Sequence, residues 1–318
     1  MLGGDARCDR LLQALRELIR DYEPPADPSR QLAKDLLQRI NKHVDFLLKF
    51  RPQAASMGNA TRFIKIQVGK LPQDAGTEWA RHRKRLIEAL ERFQWERVTV
   101  AGEETAANAC DKVADGDVVL CYCYSEVVVR SLLMAREQGT RFSVVVVDSR
   151  PRMDGTKVLR VLTEAGISCQ YVDVAAISYI MREATKVFIG ASAVLANGSV
   201  YARAGSALIA LVAKDSSVPV IVLAETNKFH ERVQLDSITA NELFDPRDLL
   251  KFSHGGPDAA QLRDVESLPK LTLLNLNYDL MPADLVAVVA TEAGLIPATS
   301  VPVILREFRK DLQANFGH

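Results

Sequence analysis

The feature that most constrains the fold is a change of hydrophobic period near residue 110. Before that point, apolar residues recur every three or four positions, which is the spacing of one face of an α-helix. Beyond Asp117, short β-branched runs alternate with helical patterns. The sequence therefore predicts two domains, a helical domain over residues 1–110 and a sheet domain over residues 111–318.

Four helices are predicted in the first domain. One apolar stripe contains Leu11, Leu12, Leu15, Leu18 and Ile19, and another contains Leu32, Leu36, Ile40, Val44, Leu47 and Leu48. The stretch "DYEPPADPS" breaks the chain between them, with Ser29 placed to cap the second helix. A third helix is expected after "RPQAASMGN", and a fourth from Trp79 to about Phe93 with a solvated, charged outer side.

Six segments of the second domain are predicted to be buried strands. Their near-continuous apolar character is typical of a parallel sheet covered on both faces. They are "DVVLCYC", "SVVVVDS", "SCQYVDV", "KVFIGASAVLA", "VPVIVLA" and "TLLNLNYDLM". Helical patterns lie between them at 126–138, 156–165, 200–214 and 283–293, and "SHGGPDAAQ" is expected to be a surface loop. The alternation predicts an α/β fold with a Rossmann-like, doubly wound, mostly parallel sheet, which binds ligands outside the carboxyl ends of its strands.

Charge and hydropathy argue against several kinds of function. Forty basic and forty acidic residues cancel, so no global field favours direct nucleic-acid or membrane binding. Apolar runs such as "VPVIVLA" are far shorter than the roughly 20 residues that span a bilayer. No charged-then-apolar leader opens the sequence, so we expect a cytosolic protein.

The five cysteines suggest neither a disulfide framework nor a metal site. They are an odd number and lack a CxxC spacing. In "CYC", Cys121 and Cys123 are two positions apart on a predicted strand, so we expect both thiols on one face without a further ligand nearby. No metal and no cofactor is predicted.

Glycines and cationic side chains follow the ends of the predicted strands. The stretch "GASAVLANGSVYARAGS" follows the fourth strand and opens a predicted helix, where unpaired N–H groups and guanidinium groups favour an anion. The candidate phosphate pocket contains Arg150, Asn197, Gly198 and Arg203. In the alternative, Arg150 and Arg152 pair with Asp148, Asp154 or backbone carbonyls, and Gly190, Gly198 and Gly205 serve turns and close packing. The stretch matches neither a P-loop nor the GxGxxG fingerprint, and both interpretations stay open.

These motifs resemble those of a known superfamily. "GASAVLANGSVYARAGS", the upstream "DSRP" and "RPQAASMGNA" are similar to motifs of methylthioribose-1-phosphate isomerases, ribose-1,5-bisphosphate isomerases and the regulatory subunits of eukaryotic translation initiation factor 2B. Within this superfamily, "ETNKFHERVQLDSITANELFDP" and "LNLNYDLMPADLVAVVATEAGLIPATSVPVILREF" resemble the delta-type regulatory subunits most. The resemblance covers nearly the whole chain.

The resemblance implies a site without catalysis. The isomerases carry a cysteine after the first Rossmann strand and an aspartate directly after Asn-Gly, and here Cys123 and Ser199 hold these positions. Aldose–ketose isomerisation needs a group that changes protonation near neutral pH, which a carboxylate supplies and an alcohol does not. The isomerases' Asn-Lys pair reads Ala202-Arg203. We therefore expect no enzyme activity; the alternatives are an active sugar-phosphate isomerase and a sensor that binds a sugar phosphate without turnover.

The resemblance also implies a regulatory subunit of a guanine-nucleotide exchange complex. Its partners would be the beta, alpha, gamma and epsilon subunits, with "TLLNLNYDLMP" and "IPATSVPVILREF" as interface segments or ordinary core. The complex would sense phosphorylation of the alpha subunit of initiation factor 2 through the helical domain, where a cation is suited to read phosphoserine. The candidate contact residues are Arg51, Met57, Asn59, Arg62 and Lys65. In the alternative, Arg51 anchors the domain junction and the other two cations are solvated.

Overall fold

The computed structural model describes residues 3–25, 31–72, 78–238, 240–250, 268 and 270–313. Within these ranges a helical segment precedes an α/β segment, which confirms the predicted fold class. The proposed cap Ser29 and the predicted loop at 253–261 lie outside the described residues. Among the helices of the described ranges, none combines the length and the apolar character that crossing a bilayer requires.

The first segment contains five α-helices. They are α1 Gly4–Arg20, α2 Leu32–Leu48, α3 Ala55–Gly69, α4 Trp79–Gln94 and α5 Ala101–Cys110, with a π-helical turn at Trp95–Val100. The prediction that the third helix follows "RPQAASMGN" is wrong, because α3 begins inside this motif after an extended Ala54. No separate helix was predicted for α5, whose buried residues are mostly small ones such as Ala106 and Ala109 and form no large apolar stripe.

Helices α1 to α4 share one apolar core. The stripes predicted for α1 and α2 face inward except at Leu47, which is 38% exposed near the end of α2. The rings of Phe63 and Phe93 stack between α3 and α4 with centroids 4.8 Å apart. Burying each side chain of this size stabilises the fold by about 1.5–3 kcal/mol. In contrast, α5 packs in the apolar cluster that contains Val119 and Leu223 of the sheet. The domain boundary at residue 110 stays a prediction.

The second segment is built on a main sheet of seven strands. The strands of the chain are β1 Val118–Tyr122, β2 Ser143–Asp148, β3 Ser168–Asp173, β4 Lys186–Leu195, β5 Val200–Arg203, β6 Val220–Leu223, β7 Phe229–His230, β8 Tyr278–Met281, β9 Val288–Thr291 and β10 Gly294–Ile296. The main sheet has the order β10-β9-β6-β4-β1-β2-β3, in which all neighbours are parallel except β10 and β9. Six parallel strands whose order along the sheet reverses between β1 and β4 form a Rossmann-like sheet.

The remaining helices cover this sheet or follow it. They are α6 Glu126–Glu137, α7 Gly155–Glu164, α8 Ile177–Ile180, α9 Ser206–Asp215 and α10 Val301–Gln313. Residues 200–214 were predicted to be a helix, but this is wrong for the first part, because Val200–Arg203 pairs with β4 and β8 as a strand. Helix α9 starts only after Gly205, whose φ of 106° lies in the left-handed region.

Two further predictions at the carboxyl-terminal side are wrong in part. Residues 283–293 were predicted to be a helix, yet they contain β9, whose Val288 and Val289 pair with β6 in the parallel sheet. The predicted strand "TLLNLNYDLM" is a strand only at Tyr278–Met281, and it pairs antiparallel with β5.

Strand β3 exists as predicted but is not buried, because it lies at the edge of the sheet.

Strand β4 carries the chain out of the main sheet. Its first half pairs with β1 and β6, and its second half pairs with β5 and β7 in a small second sheet. The pairing with β5 shifts register between Ala191 and Ala193, so Ser192 is the extra residue of a β-bulge. A bulge bends a strand and redirects a side chain, and this one lies at the carboxyl edge of the main sheet.

Candidate functional site

A cavity of about 510 Å³ opens where the strand order reverses between β1 and β4. Tyr122 and Cys123 line it from the end of β1, and Gly190 to Ser192 line it from β4. The first turn of α1, residues 3–6, closes it from the helical segment. The sequence predicted a ligand site at the carboxyl ends of the strands, and the cavity occupies that position.

Cys123 lies in this cavity as a protonated thiol. Its Sγ is 3.7 Å from Oδ1 of Asp148, and burial together with that carboxylate raises the thiol pKa to about 12. A cysteine with such a pKa holds almost no thiolate at neutral pH, and the thiolate is the reactive form. Asp148 itself accepts hydrogen bonds from the Ser149 amide and from the Tyr171 hydroxyl, both at 2.9 Å.

The expectation that Cys121 and Cys123 share one face of β1 is wrong. Cys121 packs with Val119, whereas Cys123 packs with Leu120 and Tyr122 on the other side of the sheet. The reason is the backbone at Cys123, which has a φ of 52° and leaves the strand conformation. The left-handed turn directs the thiol into the cavity.

Ser192 is a cavity residue that the sequence did not reveal. As the bulged residue of β4 it lines the same cavity as Cys123. The signal that could have found it is the spacing of "GASA" from the start of the strand, but a bulge cannot be placed from a single sequence. An alcohol at this position supplies no group that titrates near neutral pH.

The predicted positions Asn197, Gly198 and Ser199 form the turn between β4 and β5. The Leu195 amide donates to the Ser199 carbonyl at 2.8 Å, and Oδ1 of Asn197 accepts from the Ser199 amide at 3.2 Å. Gly198 has a φ of 79° and lies against the carbonyl of Ala298. None of the three lines the cavity that contains Cys123. Their contacts are those of a turn.

One carboxylate on the wall of the cavity forms ion pairs with three cationic side chains. Oδ2 of Asp154 lies 2.7 Å from Nη2 of Arg203 and 2.9 Å from Nε of Arg152, and Oδ1 lies 3.7 Å from Nζ of Lys157. Arg203 also donates to Oδ1 of Asn277. Of the two arginines in the candidate phosphate pocket, Arg203 therefore lines the cavity already ion-paired, while Arg150 is exposed and does not line it.

A second cluster of charges joins the helical segment to the sheet. Nζ of Lys228 lies 2.7 Å from Oδ2 of Asp5 in α1 and 2.7 Å from Oε2 of Glu225. Lys228 and Glu225 are buried, and Asp5 is partly exposed. Burial alone would lower the pKa of Lys228, but the two carboxylates raise it well above its ordinary value. Lys228 is therefore a fixed cation that lines the cavity.

A third acidic group caps the helix that borders the cavity. Oδ2 of Asp279 in β8 accepts from the amides of Gly205 and Ala207, at 2.7 and 3.0 Å, at the start of α9. These bonds satisfy amides that have no partner within the helix. Burial nevertheless raises the pKa of Asp279 to about 6. The backbone bonds work against this shift without cancelling it.

Three of the five candidate contact residues of the helical segment face inward. Arg51 pairs with Glu242, and Nδ2 of Asn59 donates to the carbonyls of Asn227 and Phe229 at 2.8 and 3.0 Å. Met57 belongs to the core of helices α1 to α4. Because Met57 and Asn59 are buried, any influence of theirs on a partner would be indirect.

The other two candidates lie at the surface. Arg62 and Lys65 line a groove of about 470 Å³ between α2 and α3. Nη1 of Arg62 is 2.7 Å from Oε1 of Glu231, and its side chain stays 47% exposed. A surface pair of this kind contributes at most about 1 kcal/mol, so Arg62 can exchange its partner at low cost.

Among the described residues, no group of three or more His, Cys, Asp or Glu side chains is arranged to hold a metal ion. The acidic residues around the cavity are instead engaged by lysine, arginine or backbone amides.

Comparison with known proteins shows the same relationships as the motifs. The model of the initiation factor 2 subunit family matches residues 2–298. Over 314 residues, the chain is 41% identical to translation initiation factor eIF2B subunit delta of Schizosaccharomyces pombe, covering 98% of this chain. It covers 66% of that relative, so it spans slightly less than two thirds of the relative's own length.

The isomerase branch and a solved structure are also similar. The chain is 30% identical to ribose 1,5-bisphosphate isomerase of Pyrococcus furiosus over 290 residues, covering 91% of this chain and 85% of the relative. A crystal structure of the tetrameric eIF2B-beta2-delta2 complex from C. thermophilum superposes with a TM-score of 0.78 at 29% identity. That match covers 92% of this chain and 86% of the other. The resemblance inferred from the motifs is confirmed.

Proposed function

Since the chain belongs to the initiation factor 2 subunit family, we propose that it is a non-catalytic regulatory subunit of a cytosolic eIF2B-type guanine-nucleotide exchange complex. In this proposal it assembles with beta-type and alpha-type subunits, and with gamma and epsilon subunits in the complete complex. The observation that carries it is the 41% identity to a delta subunit along 98% of this chain.

The chemistry of the cavity supports the absence of catalysis. Isomerisation of an aldose needs a group that takes and returns a proton near neutral pH. The thiol of Cys123 has a pKa of about 12, and Ser192 offers an alcohol. Of the described carboxylates that line the cavity, Asp5 and Asp154 are ion-paired inside it and Glu126 pairs with Arg130. No lining carboxylate among the described residues is left free as a base.

A turnover assay tests this part of the proposal. The purified chain is incubated with ribose 1,5-bisphosphate or methylthioribose 1-phosphate, and formation of the ketose is followed by NMR. We expect no product above the rate without protein. Sustained turnover that disappears in a Cys123→Ala variant would contradict the proposal and favour the isomerase alternative.

An exposed apolar surface supports the proposed assembly. The segment that follows β7 lies beside β8 and beside the residues that precede β8. The Leu280 amide donates to Oγ of Ser237, and the Phe244 amide donates to the Asn275 carbonyl. Along this segment five large apolar side chains are 59–89% exposed. We call them the apolar rim: Val233, Leu235, Ile238, Leu243 and Leu274. Large exposed apolar surfaces are typical of sites that bind another protein.

Native mass spectrometry tests the assembly. The chain is measured alone, after mixing with a beta-type subunit, and after mixing with beta-type and alpha-type subunits together. We expect a heteromeric species with the beta-type subunit and a larger one when the alpha type is added. A chain that stays unbound to both under conditions where authentic subunits assemble would contradict the proposal.

We further propose that the groove between α2 and α3 takes part in sensing phosphorylation of the alpha subunit of initiation factor 2. Its support is the pair of cations Arg62 and Lys65 beside each other on an exposed groove, because guanidinium and ammonium groups pair with phosphate. An Arg62→Glu variant should reduce the difference in affinity between phosphorylated and unphosphorylated partner by roughly fivefold or more.

Matched controls separate sensing from assembly. Lys42→Glu makes the same charge change at an exposed position of α2 that does not line the groove. Both variants should still assemble with the beta-type subunit, and only Arg62→Glu should lose discrimination. Equal discrimination by Arg62→Glu and the unchanged chain would remove Arg62 from the site.

The cavity itself favours a second candidate function, binding of a phosphorylated sugar without turnover. Lys157, Lys228, Arg152 and Arg203 make its lining rich in cations. Thermal unfolding with candidate phosphates tests it, because a ligand at about 100 times its Kd stabilises a fold by roughly 2.7 kcal/mol. If millimolar ligand does not shift the unfolding temperature, this second function is ruled out and only the scaffold role remains.

A further inference from the structure

One face of α4 carries a groove that the proposed functions do not use. The groove has a volume of about 670 Å³ and lies where the end of α1 meets the outer side of α4. Apart from Arg20 of α1, its lining residues repeat every three or four positions along α4 and therefore share one face of the helix. We call them the α4 stripe: Ala80, Arg83, Lys84, Ile87, Glu88 and Glu91.

The charges of the α4 stripe are separated along the helix. Cations occupy its first half, carboxylates occupy its second half, and the partly buried Ile87 lies between them. In the part of the chain that the structure describes, neither Arg83 nor Glu91 has an ion-pair partner, and Nη1 of Arg83 donates to the Arg20 carbonyl at 3.4 Å. The two halves of the stripe thus present one unpaired charge of each sign.

This order of charges does not stabilise α4 itself. The dipole of a helix favours carboxylates in the first turn and cations in the last turn. The first turn of α4 contains no acidic residue, and the stripe ends on Glu91, close to the carboxyl end. The pair Lys84–Glu88 has the less favourable order for residues four positions apart, its charged atoms are 3.8 Å apart, and both side chains are more than half exposed. A contact outside the chain explains the order of charges better.

A second copy of α4 supplies the complementary order. When two copies lie antiparallel with Ile87 on a two-fold axis, residue 83 of one copy lies opposite residue 91 of the other. Each unpaired Arg83 then meets an unpaired Glu91. Lys84 lies near both carboxylates of the second copy, and the two Ile87 side chains pack against each other. A polyanion such as RNA fits less well, because Glu88 and Glu91 repel its phosphates.

We propose that the α4 stripe is a homotypic contact through which two copies of this chain associate, with their α4 helices antiparallel about a two-fold axis. The stripe covers about 17 Å of helix, so two such helices bury far less than the roughly 1,200 Å² that a stable interface buries. Association is therefore weak, with a Kd on the order of 100 μM, and salt weakens it further because the paired charges are exposed. This contact is separate from the apolar rim, and its failure would leave the proposed assembly with a beta-type subunit unaffected.

An exchange of charges tests the pairing directly. An acidic variant carries Arg83→Glu with Lys84→Glu, and a basic variant carries Glu88→Lys with Glu91→Lys. Self-association is measured by sedimentation equilibrium up to about 1 mM protein, a concentration roughly tenfold above the expected Kd. Each variant alone should bind itself at least about tenfold more weakly than the unchanged chain, because like charges then face each other. An equimolar mixture of the two variants should associate at least as tightly as the unchanged chain does.

Lys34→Glu with Lys42→Glu is the matched control. It makes the same change in net charge as the acidic variant, at two exposed residues of α2 that do not line the groove. The control should associate as the unchanged chain does, and all variants should still bind a beta-type subunit. An unchanged chain or a mixture that stays monomeric would overturn the proposal. So would loss of RNA binding or of beta-type binding in the acidic variant while self-association persists, because the stripe would then serve another partner.

Cross-linking tests the geometry of the pair. Ile87→Cys places one thiol of each copy at the two-fold axis, where the Cα atoms come within the about 7 Å that a disulfide requires. Ala80→Cys places the two thiols about 21 Å apart along the helices. Oxidation should therefore link Ile87→Cys into dimers and leave Ala80→Cys unlinked, as it should the unchanged chain, whose own cysteines are buried or half-buried. Equal linking of both cysteine variants, or no linking of Ile87→Cys while dimers form, would overturn the antiparallel arrangement.

Discussion

At the scale of single residues, the glycines of "GASAVLANGSVYARAGS" serve close packing. A Cβ at Gly190 would lie 2.0 Å from Oγ and 2.5 Å from Cβ of Ser125, where β4 passes the start of α6. Gly205 combines a φ of 106° with a Cβ position 2.3 Å from the Tyr122 hydroxyl. Of the two interpretations that the sequence left open for these glycines, the contacts support the structural one.

Replacing Gly190 by alanine should therefore destabilise the fold. The added methyl group meets Cβ of Ser125, which cannot rotate away, so β4 or the start of α6 must shift. We expect a loss of about 1–3 kcal/mol in the free energy of unfolding, measured by urea denaturation.

Ser125→Gly supplies the compensating change. The double variant Gly190→Ala with Ser125→Gly should recover most of the loss that Gly190→Ala causes alone. A change below about 0.5 kcal/mol for Gly190→Ala, or no recovery in the double variant, would show that this contact does not limit the packing.

Asp279 should give the stability a measurable pH dependence. Its pKa is raised from 3.8 to about 6 because it is buried, so the protonated form is favoured in the folded state. The resulting stabilisation is full below pH 4 and is lost as the pH rises through about 6. A shift of this size corresponds to at most about 3 kcal/mol.

The variant Asp279→Asn removes this titration. Between pH 4 and 6.5 the free energy of unfolding of the unchanged chain should fall as the pH rises. That of Asp279→Asn should fall less, with a difference of at most about 3 kcal/mol. Asp284→Asn is the control, because Asp284 is exposed and pairs with Lys214 at the surface. Parallel pH profiles for the unchanged chain and Asp279→Asn would contradict the raised pKa.

The sequence predicted site residues correctly where they directly follow a strand. It failed where a bulge, a turn or a distant part of the chain determines which residues line the cavity. Cys123 was expected at the end of the first strand, and it is there. The cavity residue Ser192 was missed because a bulge places it, and Asn197 to Ser199 were put in the pocket although they form the turn beyond it. Lys228 could not be found because its partner Asp5 lies near the start of the chain, far away in sequence.

At the scale of elements, long periodic patterns were reliable and short mixed ones were not. The two leucine-rich helices and the first two valine-rich strands appear close to their predicted bounds. Strand β5 was missed because "VYAR" runs directly into the apolar pattern of α9. Strand β9 was missed because "DLVAVVATEA" also fits a helical period, and only pairing with β6 decides between them.

One buried side chain links helix α3 to the sheet segment through two hydrogen bonds. Nδ2 of Asn59 donates to the carbonyls of Asn227 and Phe229, and all three groups are buried. Asn59→Ala leaves two buried carbonyls without these donors, so we expect a loss of about 1–3 kcal/mol in the free energy of unfolding. Urea denaturation measures it.

Lys65→Ala is a matched control on the same helix, because Lys65 lies at the groove and makes no comparable buried bond. It should change the free energy of unfolding by less than about 0.5 kcal/mol. If Asn59→Ala were no more destabilising than Lys65→Ala, the bonds of Asn59 would not contribute to the attachment of α3.

At the scale of the whole molecule, polar links join the two segments. The core of α1 to α4 and the two main cores of the sheet segment are separate apolar clusters, and a small fourth cluster packs Ala55 of α3 against Ala193, Leu195 and Leu280. Between them lie Asn59 with its two carbonyls, Asp5 with Lys228, and Glu242 with Arg7 and Arg51. Such links depend on charge and direction, which hydrophobic periodicity does not encode. The sequence therefore predicted both segments and, as one of two interpretations, Arg51 at their junction, where it pairs with Glu242. It did not reveal the links made by Asn59 and Asp5.

The apolar rim should decide whether the molecule assembles, because its exposure has no benefit for the isolated chain. A variant with Leu235→Ser and Ile238→Ser removes side chains that are 86 and 89% exposed, so its free energy of unfolding should change by less than about 0.5 kcal/mol. Its affinity for a beta-type subunit should fall at least about tenfold, measured by native mass or sedimentation, since buried apolar anchors dominate such interfaces. The control carries Leu208→Ser and Leu211→Ser, two leucines exposed on α9. If the α9 variant lost the partner while the rim variant kept it, the interface would lie on α9 and the prediction would be wrong.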